Sequence, residues 1–347
     1  MAEEGVGEGA SLRPRSMGER IGASLRGRGV WRPLLGLALG LGLLAVAARG
    51  VDLGELWTGL READPGWVGL ALVTVLLTTA AKVGRWRGLC LSLRGERLRT
   101  SSLARALLVG QLVNALVPAR LGEVARFTLL GRSEGVSKAA LVGTIAAEKA
   151  FDVLFLLLTA GLTAAVTSLP AWAHGALGVM AALGGAVVVA AVAAPRERLV
   201  AVGRRWEARL PGGLGAALIG LVERGLAGLD ALRRPRLAAG AAAWSAAIWM
   251  LAASTNLVVF WAFELPLSVG AALFLLTLLH LGMVPPSSPG RLGVFHAIAV
   301  FGLGTFGVER TTGLAYATVL HAVVYAPQIA LGSVALWLRP CREGVGR

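Results

Sequence analysis

Two cysteines, Cys90 and Cys341, are too few for a disulfide framework and lack the spacing of a thiolate metal site. His280, His296 and His321 have no i+3 or i+4 spacing and no nearby carboxylate, so they suit hydrogen bonding better than zinc and imply no metal. Charge is scarce, at 16% of residues against about 25% in soluble domains, and acids are scarcest, 20 against 34 Lys and Arg. Lysine occurs only at 82, 138 and 149. No P-loop, H-E-x-x-H, nucleophile elbow or D-x-D pair is found. These absences exclude an ATP-driven pump and a self-contained metallohydrolase. They give the expectation of a chain that is not an enzyme and needs no cofactor.

What fills the space is apolar. The chain is 56% hydrophobic with a mean hydropathy of +0.70, which marks a polytopic membrane protein. The net charge of +14 comes from arginines placed between apolar runs. That placement points to positive-inside topology and anionic lipid rather than to nucleic acid.

Residues 1–32 form a basic tail expected to be disordered and cytoplasmic. A first span follows from Pro33 to Ala48, then an acidic outer loop over 49–66 and a second span from Trp67 to Ala81. Lys82, Arg85, Arg87 and the arginines beyond read as an inner loop. Leu103 to Val117 is apolar but falls short of the roughly 20 residues that cross a bilayer. It ends at Pro118, and Val124 to Leu130 returns to basic residues, which reads as a re-entrant hairpin. A third span runs from Ala139 to Val166.

The second half repeats this plan. Spans are expected at Trp172–Ala193, Ala238–Phe263 and Thr312–Leu338, with a hairpin broken at Pro285–Gly290 and an outer turn around Arg310. A basic segment over 194–236 contains an amphipathic interfacial helix at Leu210–Leu232, and 339–347 is a second cytoplasmic tail. Pro118-Ala119-Arg120-Leu121-Gly122 and Pro289-Gly290-Arg291-Leu292-Gly293 share P-x-R-L-G. Three crossings per half is odd, so the second copy is inverted. The expected fold is all-α: six full spans plus two re-entrant helical hairpins in an inverted repeat, 33–171 and 172–338, as transporters with broken helices are built.

Charged residues at depth are the candidate site, because each costs roughly 2.5–3.5 kcal/mol at mid-bilayer on insertion scales. Glu123 and Arg126 lie at i, i+3 on the helix after the first break and can pair, leaving Arg120 for an anionic headgroup or a capping role. Glu148 and Asp152 lie at i, i+4, with Lys149 between them, and would repel unless a cation sits between them or one is protonated; Arg120 or Arg126 is the natural partner. They serve either as a salt-bridge lock or in the transport step. Asn114 either satisfies backbone groups freed by the break or contacts substrate. Ser287, Ser288 and Gly290 offer hydroxyls and amides at a helix start, and Arg291 adds charge, with His296 close by.

Several motifs together resemble one family. They are Arg85-Trp86, N-x-x-x-P-x-R-x-G-E-x-x-R from Asn114 to Arg126, E-K-x-x-D from Glu148 to Asp152, and S-P-G-x-x-G from Ser288 to Gly293. The chain from 33 to 338 is similar to the flippase-like transmembrane domain of lysylphosphatidylglycerol synthases and their stand-alone YbhN/AglD-type relatives. The resemblance implies lipid translocation without the aminoacyl-transferase step of the synthases. It departs from the pattern at Lys149, where Arg is usual, at Arg291, where Gly is common, at His296, usually Glu, and at His321, often Arg. The second hairpin therefore loses an acid and gains a cation, and Val294 stands where the first has Glu123.

The expected function is a flippase-like protein of the cell inner (plasma) membrane, both termini cytoplasmic. It moves an anionic phospholipid or polyprenyl-phosphate type lipid through a midplane cavity, in company with a lipid-modifying enzyme. The alternative is a membrane-embedded enzyme or accessory subunit of lipid or glycan assembly.

Overall fold

The computed structural model describes residues 31–94, 98–117, 121–193, 234–283 and 288–337. Every regular element among them is helical. In chain order they are α1 (Trp31–Ala47), α2 (Leu53–Glu62), α3 (Pro65–Arg94), α4 (Thr100–Leu116), α5 (Gly122–Glu134) and α6 (Lys138–Val166). Then come α7 (Ala171–Ala193), α8 (Pro235–Ala262), α9 (Val269–Gly282), a 3-10 turn (Pro289–Arg291), α10 (Val294–Gly304) and α11 (Arg310–Trp337). Four of these, α3, α6, α8 and α11, are long and apolar enough to cross a membrane. The other two expected crossings fall on α1, of 17 residues, and α7, of 23.

Helix ends follow local chemistry. Asp52 accepts hydrogen bonds from the amides of Gly54 and Glu55 at the start of α2. Asp64 does the same for Gly66 at 2.7 Å, ahead of Pro65 in the first position of α3. Gly135, at φ 65°, closes α5 in the left-handed region.

The central contact is between α3 and α8, which run antiparallel. Thr74 meets Thr255, hydroxyl to hydroxyl at 2.8 Å, and farther along Gly84 lies against the indole of Trp244, where a Cβ would come within 2.8 Å. Absence of a side chain at Gly84 lets the two helices approach, as in membrane bundles generally. Around this pair α4 packs on α5 and α11, and α9 packs on α10 and α6. Likewise α5 meets α6 as α10 meets α11, and α3 meets α4 and α6 as α8 meets α9 and α11. Exchanging the two halves thus reproduces the packing of these eight helices. The helices α1 and α7 break the pattern: α1 packs on α10, α7 on α6.

Two expectations change here. The second span does not stop at Ala81, because α3 continues to Arg94 and takes Lys82, Arg85 and Arg87 into the helix. Long basic side chains are good helix formers, and Arg85 finds partners inside the bundle. The outer segment 49–66 is not a plain loop but carries α2. Cys90 is buried on α3. The tail 1–30, most of the segment 194–236 with its amphipathic helix, and residues 338–347 lie outside the described residues.

Candidate functional site

Arg126 of α5 and Glu148 of α6 form a two-pronged ion pair, Nη1 to Oε1 at 3.0 Å and Nη2 to Oε2 at 2.8 Å. Arg126 also lies over the Trp86 ring, 4.2 Å from its centroid. Trp86 is held in turn by an Nε1–H bond to the Thr144 hydroxyl at 3.1 Å. Arg85, only 1% exposed, brings its guanidinium to the other side of the cluster. Its Nη1 donates to Asp152 at 2.7 Å and to Ser245 of α8 at 3.0 Å, and its Nη2 lies 3.5 Å from Glu148. Lys149 reaches Asp152 at 3.4 Å from a more exposed position. The cluster therefore ties α3, α5, α6 and α8 together. Removing one member would leave its buried partner uncompensated.

One expected pairing forms, Arg126 with Glu148, and the others among the described residues do not. Arg126 gives both terminal nitrogens to Glu148, not to Glu123, and Asp152 takes Arg85 and Lys149 rather than Arg120 or Arg126. Glu123 is half-buried in the first turn of α5. Arg120 falls outside the described residues. Spacing along one helix offered Glu123 as well, and only packing selects Glu148, 22 residues on.

At the first break α4 ends at Leu116 and α5 restarts at Gly122. The Asn114 side-chain Oδ1 accepts the Gly122 amide hydrogen at 2.8 Å, meeting one of the unpaired donors at a helix start. Gly122 has no room for a Cβ, which would collide with the Gly110 carbonyl and the Asn114 amide.

The second break is built differently. Ser288 donates to the Leu292 carbonyl at 2.6 Å, and Gly290, Arg291 and Gly293 have φ of 61°, 55° and 83°. These residues form a 3-10 turn set off from α10, so Ser288 and Gly290 do not stand in the first turn of that helix as expected. Ser287 lies outside the described residues. His321 of α11 donates its Nε2–H to the Gly290 carbonyl at 2.8 Å, while Arg291 points Nη1 to the Met283 sulfur at 3.3 Å. The buried His296 ring lies 5.1 Å from that of His321, which stacks on Tyr325 at 4.3 Å. Where α5 and α6 are joined by Arg126 and Glu148, α10 and α11 are joined by two imidazoles. The breaks themselves meet: a Cβ at Gly290 would lie 3.5 Å from the Ala115 carbonyl, at the end of α4.

No group of three or more His, Cys, Asp or Glu among the described residues is placed to hold a metal. An open depression of about 540 Å³ lies apart from the cluster, between α2 and the start of α11. Glu55, Glu62 and Glu309 line it, so its field disfavours anions.

Sequence reasoning missed Arg85, Trp86, Ser245 and Lys82 as site residues. A signal was present for two of them. Ala81, Arg85, Trp86, Leu89 and Cys90 follow helical spacing and are all buried, so Arg85 sits in a core stripe rather than a loop.

A sequence model of the family described as the lysylphosphatidylglycerol synthase TM region matches residues 34–332. Among curated proteins the chain is similar to glycosyltransferase AglD of Haloferax volcanii, 27% identical over 333 residues, covering 86% of this chain. The chain spans about half that relative's length, 53%. No solved structure matches. The relative's name corrects the expectation of a non-enzyme. That expectation rested on missing nucleotide-hydrolysis and metallohydrolase motifs, whose absence does not bear on every transfer reaction.

Proposed function

The chain belongs to the family of the lysylphosphatidylglycerol synthase TM region, and on that premise we propose that it is a membrane-embedded component of lipid or glycan assembly. It acts as the transferring enzyme or as the subunit serving one, on an anionic lipid of the phospholipid or polyprenyl-phosphate type. The observation that carries this reading is the ion cluster of Arg85, Arg126, Glu148 and Asp152, buried among membrane-length helices beside a broken helix. Charge kept at such depth marks functional interiors. The similarity to a named glycosyltransferase supports the assembly role.

In this reading the chain lies in the cell inner membrane with both termini cytoplasmic. The helices α1 and α7 complete six crossings, and the α4–α5 and α9–α10 pairs enter as inverted re-entrant hairpins. The packing pattern that survives exchange of the halves supports this topology. Asn114, Arg120, Glu123 and Arg126 on one hairpin and Ser287, Ser288, Gly290, Arg291 and His296 on the other border the headgroup, with Glu148 and Asp152 holding the cations in place.

The test compares membranes with and without the chain, supplied with labelled sugar nucleotides in detergent, followed by mass spectrometry of the lipid extract. A modified lipid that depends on the chain is expected. Identical extracts would overturn the reading.

A second reading, movement of such a lipid between leaflets, is favoured by the meeting of the two breaks at Ala115 and Gly290. It predicts faster leaflet exchange in proteoliposomes than in empty vesicles, and slower exchange with Arg120→Ala. Equal rates with and without protein would remove it.

A further inference from the structure

The ion cluster is not neutral. Among the ion-paired side chains Arg85, Arg126 and Lys149 outnumber Glu148 and Asp152, and Lys82 is a further basic residue on the helix that carries Arg85. Lys82 lies one helical turn before Arg85 on the same face of α3. Among the described residues its ammonium has no carboxylate within ion-pair distance.

Lys82 nevertheless sits well inside a membrane-length helix. It is 15 residues after Trp67, about 22 Å along α3, against a hydrocarbon core of about 30 Å. Its neighbour Ala81 is buried where α3, α6, α8 and α9 meet, with Phe155, Ile248, Trp249 and Leu276. Lys82 itself is only half-buried. Lys149 is exposed, the Asp152 side chain is 31% exposed, and His280 on α9 is exposed one turn beyond Leu276. The His280 ring leans on Trp249, 4.7 Å between centroids, and its Nδ1–H donates to the Leu276 carbonyl, so Nε2 of the neutral ring is an acceptor and leaves the anion contact to the lysines.

We propose that Lys82, with Lys149 at its rim, forms a seat for a phosphate group beside the ion cluster. An ammonium is a compact charge with three donors, suited to a phosphate oxygen. Arg85 and Arg126 are committed to carboxylates, so they supply field and rigidity while Lys82 supplies the contact. Asp152, paired with Arg85 at 2.7 Å, keeps that cation from collapsing onto the anion. The seat specifies the phosphate of the lipid invoked above and rests on that reading.

The test uses full-length protein purified in detergent, stripped of lipid and titrated by native mass spectrometry. The probes are dioleoylphosphatidic acid, dioleoylglycerol and inorganic phosphate. Wild type is expected to bind the phosphatidic acid and not the diacylglycerol. Lys82→Gln should weaken the former by about ten- to a hundredfold, the range for a hydrogen bond to a charged group, and Lys82→Arg should retain most of it. Competition by inorganic phosphate would assign the seat to the bare anion as well, and lack of competition to the lipid-borne phosphate alone; both uphold it. Lys82→Met serves the same comparison if Lys82→Gln fails to insert. Equal binding by wild type and both neutral variants overturns the seat while leaving the assembly role standing. Wild type that binds no phosphate-bearing lipid overturns both.

Discussion

Arg126 and Glu148 face each other across two parallel hydrogen bonds of 3.0 and 2.8 Å, with the Trp86 ring under the guanidinium. The pair bolts the helix after the first break to a membrane-length helix. It thereby fixes where the broken segment stands.

Arg126→Met or Glu148→Met alone should destabilise the protein by about 3–5 kcal/mol, since each leaves an opposite charge buried without its partner. The double substitution should cost much less than the sum. A double-mutant cycle from denaturant unfolding in detergent measures the coupling, and additive losses would show that the pair is not formed.

Arg85→Lys should be more damaging than Asp152→Asn. The guanidinium serves Asp152, Glu148 and Ser245 at once, which one ammonium cannot match, whereas Asp152 is partly exposed. Thermal midpoints of the two variants in the same detergent decide this; the reverse order would mean that Asp152 is the keystone.

Gly122→Ala should lower stability by about 1–3 kcal/mol through overpacking against the Gly110 carbonyl and Asn114. Gly69→Ala, on α3 with open space around it, is the control and should be neutral or slightly stabilising. Equal effects would mean that α4 and α5 are not in close contact.

His321→Phe should cost about 1 kcal/mol by removing the hydrogen bond to the Gly290 carbonyl. It should also speed hydrogen exchange around residues 288–292, and His321→Gln should restore part of the protection. Unchanged exchange in His321→Phe would show that the turn holds itself.

The helical character and the two breaks were legible because Pro, Gly and charge interrupt apolar runs of known minimum length. Which charges pair was legible only in part, since the sequence offers Arg126 both Glu148 and Glu123 and places Arg85 in a loop. Glu123 and Arg126 satisfy the local spacing rule, but Glu148 is better aligned, and only tertiary packing decides that. Arg85 was misread for a related reason: hydropathy ends the span at Ala81, while the helix continues because buried acids and Ser245 accept the guanidinium. Likewise the shared P-x-R-L-G suggested two similar tips, yet Gly290 and Gly293 turn the second through the left-handed region and His321 ties it down.

The most direct measurement is native mass spectrometry of the protein taken from its own membrane with minimal delipidation. A phosphate-bearing lipid should be retained by wild type and depleted in Lys82→Gln. Recovery of wild type with only phosphate-free lipid, or with none, would contradict a role in handling anionic lipid.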